Sequence, residues 1–191
     1  SNKITGEIQI IRDSANIPHI FSENINDVFF GLGYAHAQDR FWQLNILRRS
    51  AQGRLSEIFG QKTVQLDELV RRLDIYNLAR LSLKHQSEQT KSILKAYSSG
   101  INARVMEINT KALGRGAPEM FLYPSEFSYW QPADSIAIFK LFALKMSGQI
   151  DAEVTYAKSS LVMEDQQLLS ALLPDSPGKI TSKIPYLEEV S

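Results

Sequence analysis

The stretch GLGYAHAQDRFWQLNILRRSAQGRLSEIFG, residues 31–60, is the most informative part of the chain. It opens on Gly-x-Gly-Tyr, holds an Ala37-Gln38-Asp39-Arg40 core, passes the paired Arg48-Arg49 and closes on Gly53-Arg54-Leu55-Ser56-Glu57. The helical period begins just upstream. Asn24 or Asn26 can cap, Asp27 suits the positive first turn, and Val28, Phe29, Leu32 and Ala35 follow at near-helical spacing. Phe41, Leu44, Ile46 and Leu47 extend the apolar face, with Trp42, Arg48 and Arg49 expected on its flanking surface. Gly31 and Gly33 would each cost about 1 kcal/mol relative to Ala inside an isolated helix. Their presence predicts the close approach of another backbone. Asp39 and Arg40 are adjacent and point about 100° apart on a helix, so each must find its partner elsewhere.

Before this segment, residues 6–23 read as a hairpin: Ile8, Ile10 and Ile11 supply a short strand, Asp13-Ser14-Ala15-Asn16 supplies turn chemistry, and Pro18-His19-Ile20-Phe21 resumes the extended pattern. His19 is expected to be a structural, hydrogen-bonded residue. After the segment, residues 63–85 show Leu66, Leu69, Val70, Leu73, Tyr76 and Leu78 on one amphipathic helix, irregular near its end. Asp67 with Arg71 and Glu68 with Arg72 are spaced to pair on its exposed face. A longer helix is expected over residues 87–108, with Ile93, Leu94, Tyr97, Ile101, Val105 and Ile108 on one stripe. His85 falls in the linker, in water, and His36 is placed to join a hydrogen-bond network.

Residues 109–132 are loop-rich, punctuated by Gly114, Gly116, Pro118 and Pro124 around a Phe121-Leu122-Tyr123 cluster. They end on Trp130-Gln131-Pro132-Ala133-Asp134, where Pro132 suits a first helical turn because its missing N–H has no intrahelical acceptor. The helix that follows, to Met146, carries Ile136, Ile138, Phe139, Leu141, Phe142 and Leu144, and so apolar a surface calls for burial in a core or against a partner chain. A last helical pattern starts at Asp151 and Glu153 and runs to Leu173. Pro174-Asp175-Ser176-Pro177-Gly178 breaks it and leaves a polar tail.

With 191 residues the chain can hold one domain, or two small ones, around a real core. Its formal net charge of zero implies no global pull toward nucleic acid or an acidic membrane. The absence of cysteine excludes disulfides, thiolate metal sites and a cysteine nucleophile, and no pair of histidines has metal-ligand spacing. No apolar run approaches the roughly 20 residues of a membrane span, and no signal peptide opens the chain. A soluble globular protein is expected.

The residue 31–60 pattern closely resembles the signature of the small (α) chain of the penicillin acylase family of N-terminal nucleophile amidohydrolases. The strand ending Arg12-Asp13 before Pro18-His19-Ile20 and the Trp130-x-Pro132-x-Asp134 motif occur in the family in the same order, so the resemblance spans most of residues 7–160. It implies an α/β (α+β) chain, mainly helical with an N-terminal hairpin, forming the α-chain part of a four-layer αββα fold that a larger β chain completes. It implies a single domain over residues 1–173 and a tail, 174–191, near the boundary of an excised spacer peptide. It also favours buried or interfacial structural pairs of Arg48, Arg49 and Arg54 with Glu57, such as clamps to the larger chain, over a solvated basic surface. The reaction implied is acyl transfer from an amide, of penicillin or N-acyl-homoserine lactone type, to the N-terminal serine of the β chain, whose own amine assists the proton transfer.

Ser1-Asn2 superficially matches the start of that β chain, but Lys3 and Ile4 follow where the family has a nearby Trp, so Ser1 is assigned no catalytic role. By position, the resemblance implies that Ala143, Met146 and Ser147 line the acyl pocket, where penicillin acylases carry Met, Arg and Phe. That departure puts phenylacetyl specificity in question and leaves room for longer aliphatic acyl groups. It also places Glu153 on the small-chain glutamate that ligates a calcium ion shared between the chains. A periplasmic or secreted protein with its signal removed is implied. The rival expectation is a non-catalytic helical interaction module or a homologue that has lost catalysis, and a self-contained metal or nucleotide enzyme has no motif in its favour.

Overall fold

The computed structural model describes residues 6–111, 116–123, 127–146 and 158–159. The chain divides into two compact units, Ser1–Ala143 and Leu144–Ser191, and the architecture below is that of the first. Its elements are β1 (Gln9–Arg12), β2 (Pro18–Phe21), α1 (Ile25–Gln52), α2 (Ser56–Phe59), a 3-10 turn (Gly60–Thr63), α3 (Val64–Arg72), α4 (Ile75–Lys84), α5 (Glu88–Lys111), α6 (Glu119–Leu122) and α7 (Pro132–Met146).

The expected hairpin forms. β1 and β2 pair antiparallel with Ile10 opposite Ile20 and Ile11 opposite His19. Asp13 builds the turn: one carboxylate oxygen accepts from the Ala15 and Ile17 N–H groups at 2.9 Å each, and the other meets His19 Nε2 at 3.0 Å. His19 is thus a turn-holding residue. Asn16 takes the left-handed backbone the turn requires, at φ 62°. A two-stranded ribbon is marginal by itself, and this one lies against α1. Ile8 and Ile20 close over Gly31, where a Cβ would stand 3.1 and 2.7 Å from their methyl groups. Arg12 extends from the hairpin to Asp39 at 2.7 Å and Gln38 at 2.8 Å, which supplies the partner that Asp39 lacks on its own helix.

Helix α1 starts at an Asn24 cap whose side chain accepts from the Asn26 N–H, and ends at Gly53 in the left-handed conformation, its N–H reaching back to the Arg49 and Ser50 carbonyls. Midway, Arg40 leaves helical geometry (φ −132°, ψ 31°), so the two halves of α1 run in different directions. The first half crosses α5 at backbone distance. A Cβ at Gly33 would collide with the Tyr97 carbonyl, and one at Gly100 with the Phe30 carbonyl and, at 2.8 Å, the Tyr34 nitrogen. The second half carries Phe41 and Leu44 into the core, where they meet Ile101, Val105 and Ile108 of α5, Met120 of α6 and Trp130. Farther along, Ala51, Ala79 and Ala137 bring α1, α4 and α7 together through small side chains.

The structure differs from the sequence expectation in three places. Residues 63–85 are two helices, broken at Asp74, which is left-handed at φ 52°. On one straight helix Val70 and Ile75 would point about 140° apart, and the break lets both be buried. Asp67 does not pair on an exposed face with Arg71; it is buried, while Glu68 and Arg72 do sit on the solvent side at 3.9 Å. Helix α7 buries Ala133, Asp134 and Ala137 but leaves Phe139 74% and Phe142 46% exposed, so among the described residues of this unit its apolar surface is only partly covered. Apart from residues 158 and 159, the last helical pattern and the tail, residues 151–191, lie outside the described residues.

Gly100→Ala should destabilise the protein by about 3 kcal/mol, because the contacting atoms are main chain and cannot rotate away. Urea unfolding checks this; a loss under about 0.5 kcal/mol would mean that α1 and α5 can separate without penalty.

Candidate functional site

The residues 48–57 and 130–134 singled out in the sequence meet in space, and the chemistry they share is buried. Gln131 precedes the first helical residue of α7, and Asp134 reaches back to accept its N–H at 2.7 Å, which satisfies one of the donors a helix start leaves open. Pro132 opens the helix as expected. The other carboxylate oxygen of Asp134 accepts from Tyr76 of α4 at 3.0 Å and from Gln52 of α1 at 3.2 Å. Arg48 approaches the same carboxylate at 3.9 Å and donates to the Ser128 carbonyl at 2.7 Å, with its guanidinium 4.3 Å above the Phe127 ring and 5.4 Å from that of Trp130. Trp130 is clamped to α5 by Asn102, which accepts from the Trp130 N–H at 2.6 Å and donates to its carbonyl at 3.0 Å; the indole N–H donates to Ser135.

Arg48 and Asp134 are almost wholly buried, at 3% and 1% exposure, and Arg49 at 7%. The helical pattern by itself puts Arg48 and Arg49 on the flank of the apolar face, whereas the family resemblance favours buried or interfacial pairs, and the buried form is what the structure shows. Both point inward because the kink at Arg40 turns the second half of α1, and because each finds an acceptor inside: Arg48 as above, Arg49 at Asn45 (3.3 Å) and Glu57. Burial pushes the Asp134 carboxyl up from its usual range, opposed by the Gln131 N–H, Arg48, Tyr76 and Gln52. Burial likewise lowers Arg48, opposed by Asp134. Tyr76 is raised by burial and by the neighbouring Asp134 charge. A buried ion pair of this kind adds less net stability than removing one partner would cost, since the survivor is left charged and dry.

The close of the signature is a second polar joint. Asp67 of α3 accepts from the Leu55 and Ser56 N–H groups at 2.9 and 2.7 Å, Arg71 Nε donates to the Gly53 carbonyl at 2.7 Å, and Arg54 grips Glu57 through two bonds of 2.6 and 2.9 Å. Burial raises the Asp67 carboxyl, but the hydrogen bonds from Ser56 and Leu55 and the Arg71 charge outweigh it and hold its pKa below the ordinary value. Arg48, Arg49, Arg54 and Glu57 therefore make their pairs within this chain. Gln52, Tyr76 and Asn102 complete the site without having been legible, since they lie on separate helices at no telling spacing. The one hint was the need of a buried Asp134 for donors.

Of the expected pocket residues, Ala143 and Met146 stand exposed on the distal part of α7, and Ser147 and Glu153 lie outside the described residues. Among the described residues no serine or threonine hydroxyl bonds a histidine: Ser50, Ser98 and Ser99 donate to carbonyls of their own helices, and His36 meets the Tyr97 hydroxyl at 2.9 Å, as its place on α1 suggested. No group of His, Asp or Glu able to hold a metal ion occurs among them either. The site organises a helix start and contains no acyl-transfer machinery.

A family model described as penicillin amidase matches residues 7–181, and the chain belongs to that family. More particularly, it is 34% identical over 142 residues to penicillin G acylase of Escherichia coli, covering 71% of this chain and 16% of that protein. It is 31% identical over 172 residues to the acyl-homoserine lactone acylase QuiP of Pseudomonas putida, covering 90% and 20% respectively. Among solved structures, a thermostable penicillin G acylase from Alcaligenes faecalis shares the fold, with a TM-score of 0.73 at 22% identity over 95% of this chain and 99% of that one. The chain thus spans about a fifth or less of the length of these two curated relatives.

Two substitutions separate the buried joint from the exposed one. Arg48→Met should cost about 3 kcal/mol or more by stranding Asp134, whereas Arg54→Met, at a half-exposed pair, should cost about 1 kcal/mol at most; denaturant titration of the two variants reads the difference. Asp67→Asn should cost about 1 kcal/mol at neutral pH. Because the folded pKa of Asp67 is depressed, its contribution is present above the ordinary carboxylate range and lost as pH falls, so the variant should also destabilise less steeply than the parent between about pH 5 and pH 3. Melting temperature against pH checks the slope.

Proposed function

We propose that this chain is the small subunit of a heterodimeric amidohydrolase, acting on acyl-amide bonds of the penicillin or N-acyl-homoserine lactone type. The observation that carries the reading is the family match over residues 7–181 of a chain that covers only 16% of one acylase and 20% of another. The missing majority has room for the nucleophile that the described residues lack. That a chain of a solved penicillin G acylase is matched over 99% of its length supports a separate chain of this extent. The exposed apolar side of α7, with Phe139, Phe142 and Met146, supports a covering partner.

In this reading the larger chain begins with serine, whose hydroxyl attacks the amide carbonyl while its α-amine takes the proton, directly or through water. Donors on that chain hold the tetrahedral oxyanion. The amine product leaves and water hydrolyses the acyl-enzyme. The present chain supplies part of the acyl pocket through Ala143, Met146 and Ser147. Two of these are small, which favours extended aliphatic acyl groups over phenylacetyl. Glu153 supplies one ligand of a calcium ion whose remaining oxygen donors come from the partner, since a single carboxylate does not make such a site. The larger chain completes a four-layer αββα fold around one domain of residues 1–173, with 174–191 next to the excised spacer. The mature heterodimer works in the periplasm or outside the cell.

Native mass spectrometry of the protein from its own source, with N-terminal sequencing of any bound chain, tests this. The expected result is a one-to-one complex with a larger chain starting Ser-Asn, a mass increment of one calcium ion that Glu153→Gln abolishes, and amidase activity only in the complex. A stable partnerless chain would overturn the reading and leave a helical interaction module in its place.

A further inference from the structure

Helix α7 is held by hydrogen bonds at its first turn and by apolar packing through Ala137, Ile138 and Leu141 beyond it. Asp134 is tied by its carboxylate to α1 through Gln52, to α4 through Tyr76 and to its own helix start through the Gln131 N–H. Beside it, Ala137 packs on Ala51 and Ala79. The two kinds of contact constrain different motions. Alanine methyl groups set how closely the helices approach but resist sliding and tilting weakly. Hydrogen bonds lose strength steeply with angle, so donors converging on one carboxylate from separate helices resist rotation of α7 about that point. Nine residues farther on stands Ala143, about 13 Å along the helix axis, and a tilt of about 3° at Asp134 moves it by roughly 0.7 Å.

We propose that Asp134, with its donors Tyr76 and Gln52, is the positioning centre that sets the acyl-chain selectivity of the assembled enzyme, by fixing the angle at which α7 presents Ala143. None of the three touches the substrate; they act through the helix. The proposal rests on the reading of the distal part of α7 as a wall of the acyl pocket. It accounts for a buried charged network where an apolar joint of the same volume would serve stability equally well. It also accounts for the convergence of the network on the helix start and not on its middle, because a directional constraint at one end governs the whole lever.

The test uses heterodimer matured from full-length precursor, with Tyr76→Phe and Gln52→Leu. Tyr76→Phe removes one oxygen and keeps the ring, so the site stays packed. The quantity read is the ratio of kcat/KM for a decanoyl amide to that for a phenylacetyl amide, which does not depend on the fraction of active enzyme. Tyr34→Phe is the control, since its hydroxyl donates to Glu107 at 2.6 Å on the far joint between α1 and α5. Ala143→Phe tests the pocket wall itself. The expected result is a ratio shifted by about threefold or more in Tyr76→Phe and Gln52→Leu, of the size that displacements under 1 Å produce, with the control unmoved and Ala143→Phe shifted further. If Ala143→Phe moves the ratio while Tyr76→Phe and Gln52→Leu leave it alone, or move it no more than Tyr34→Phe does, the positioning role is overturned. If Ala143→Phe is itself without effect, the pocket reading fails and the proposal falls with it.

Discussion

The contact of α1 with α5 at Gly33 and Gly100 is the constraint on which the remainder of this chain depends. Two helices whose backbones touch cannot slide or roll without collision, so the crossing sets one relative position for them. Everything else is referred to that frame. The hairpin is seated on the opposite side of α1 through Gly31, and the larger apolar side chains of both helices fill the space that opens away from the crossing, around Phe41, Ile101, Val105 and Trp130. A residue type that weakens an isolated helix is used here twice to let main chain meet main chain.

The kink at Arg40 divides the labour of α1. The half before it meets the hairpin and α5; the half after it carries Asn45, Arg48, Arg49 and Gln52 inward, where α3, α4 and α7 gather around them. This second region is joined mostly by directional polar contacts: a carboxylate over the start of α7, another over the start of α2, guanidinium groups spanning loop carbonyls and aromatic rings. Such joints contribute little net free energy for what they bury, but they admit few alternative arrangements.

The chain spans about a fifth or less of the length of the two curated relatives compared with it. Its described residues hold no nucleophile paired with a base, and its most apolar helix leaves large side chains in water on one side. A protein that folded only for itself would gain by burying Phe139 and Phe142 or by replacing them with polar residues. In the function proposed above a larger partner covers this face, and the polar anchor of α7 sets how that face is presented.

Local pattern alone determined much of this protein. The hairpin, the helices α1, α5 and α7, the Asn24 cap, the Pro132 start and the need of Gly33 for a close neighbour all follow from periodicity, capping chemistry and the steric character of single residues, which act within a few positions along the chain. Only the tertiary structure decided the rest. It decided that Arg48 and Arg49 pair inside this chain and not across an interface, with a kink at one exposed arginine changing the heading of the helix that carries them. It broke residues 63–85 at Asp74, because two apolar stripes out of phase can be buried together only if the chain bends. And it brought Gln52, Tyr76 and Asn102 to the Trp130–Asp134 turn, because donors on separate helices leave no spacing to read. Residues meet across helices through packing, and packing is a property of the whole chain.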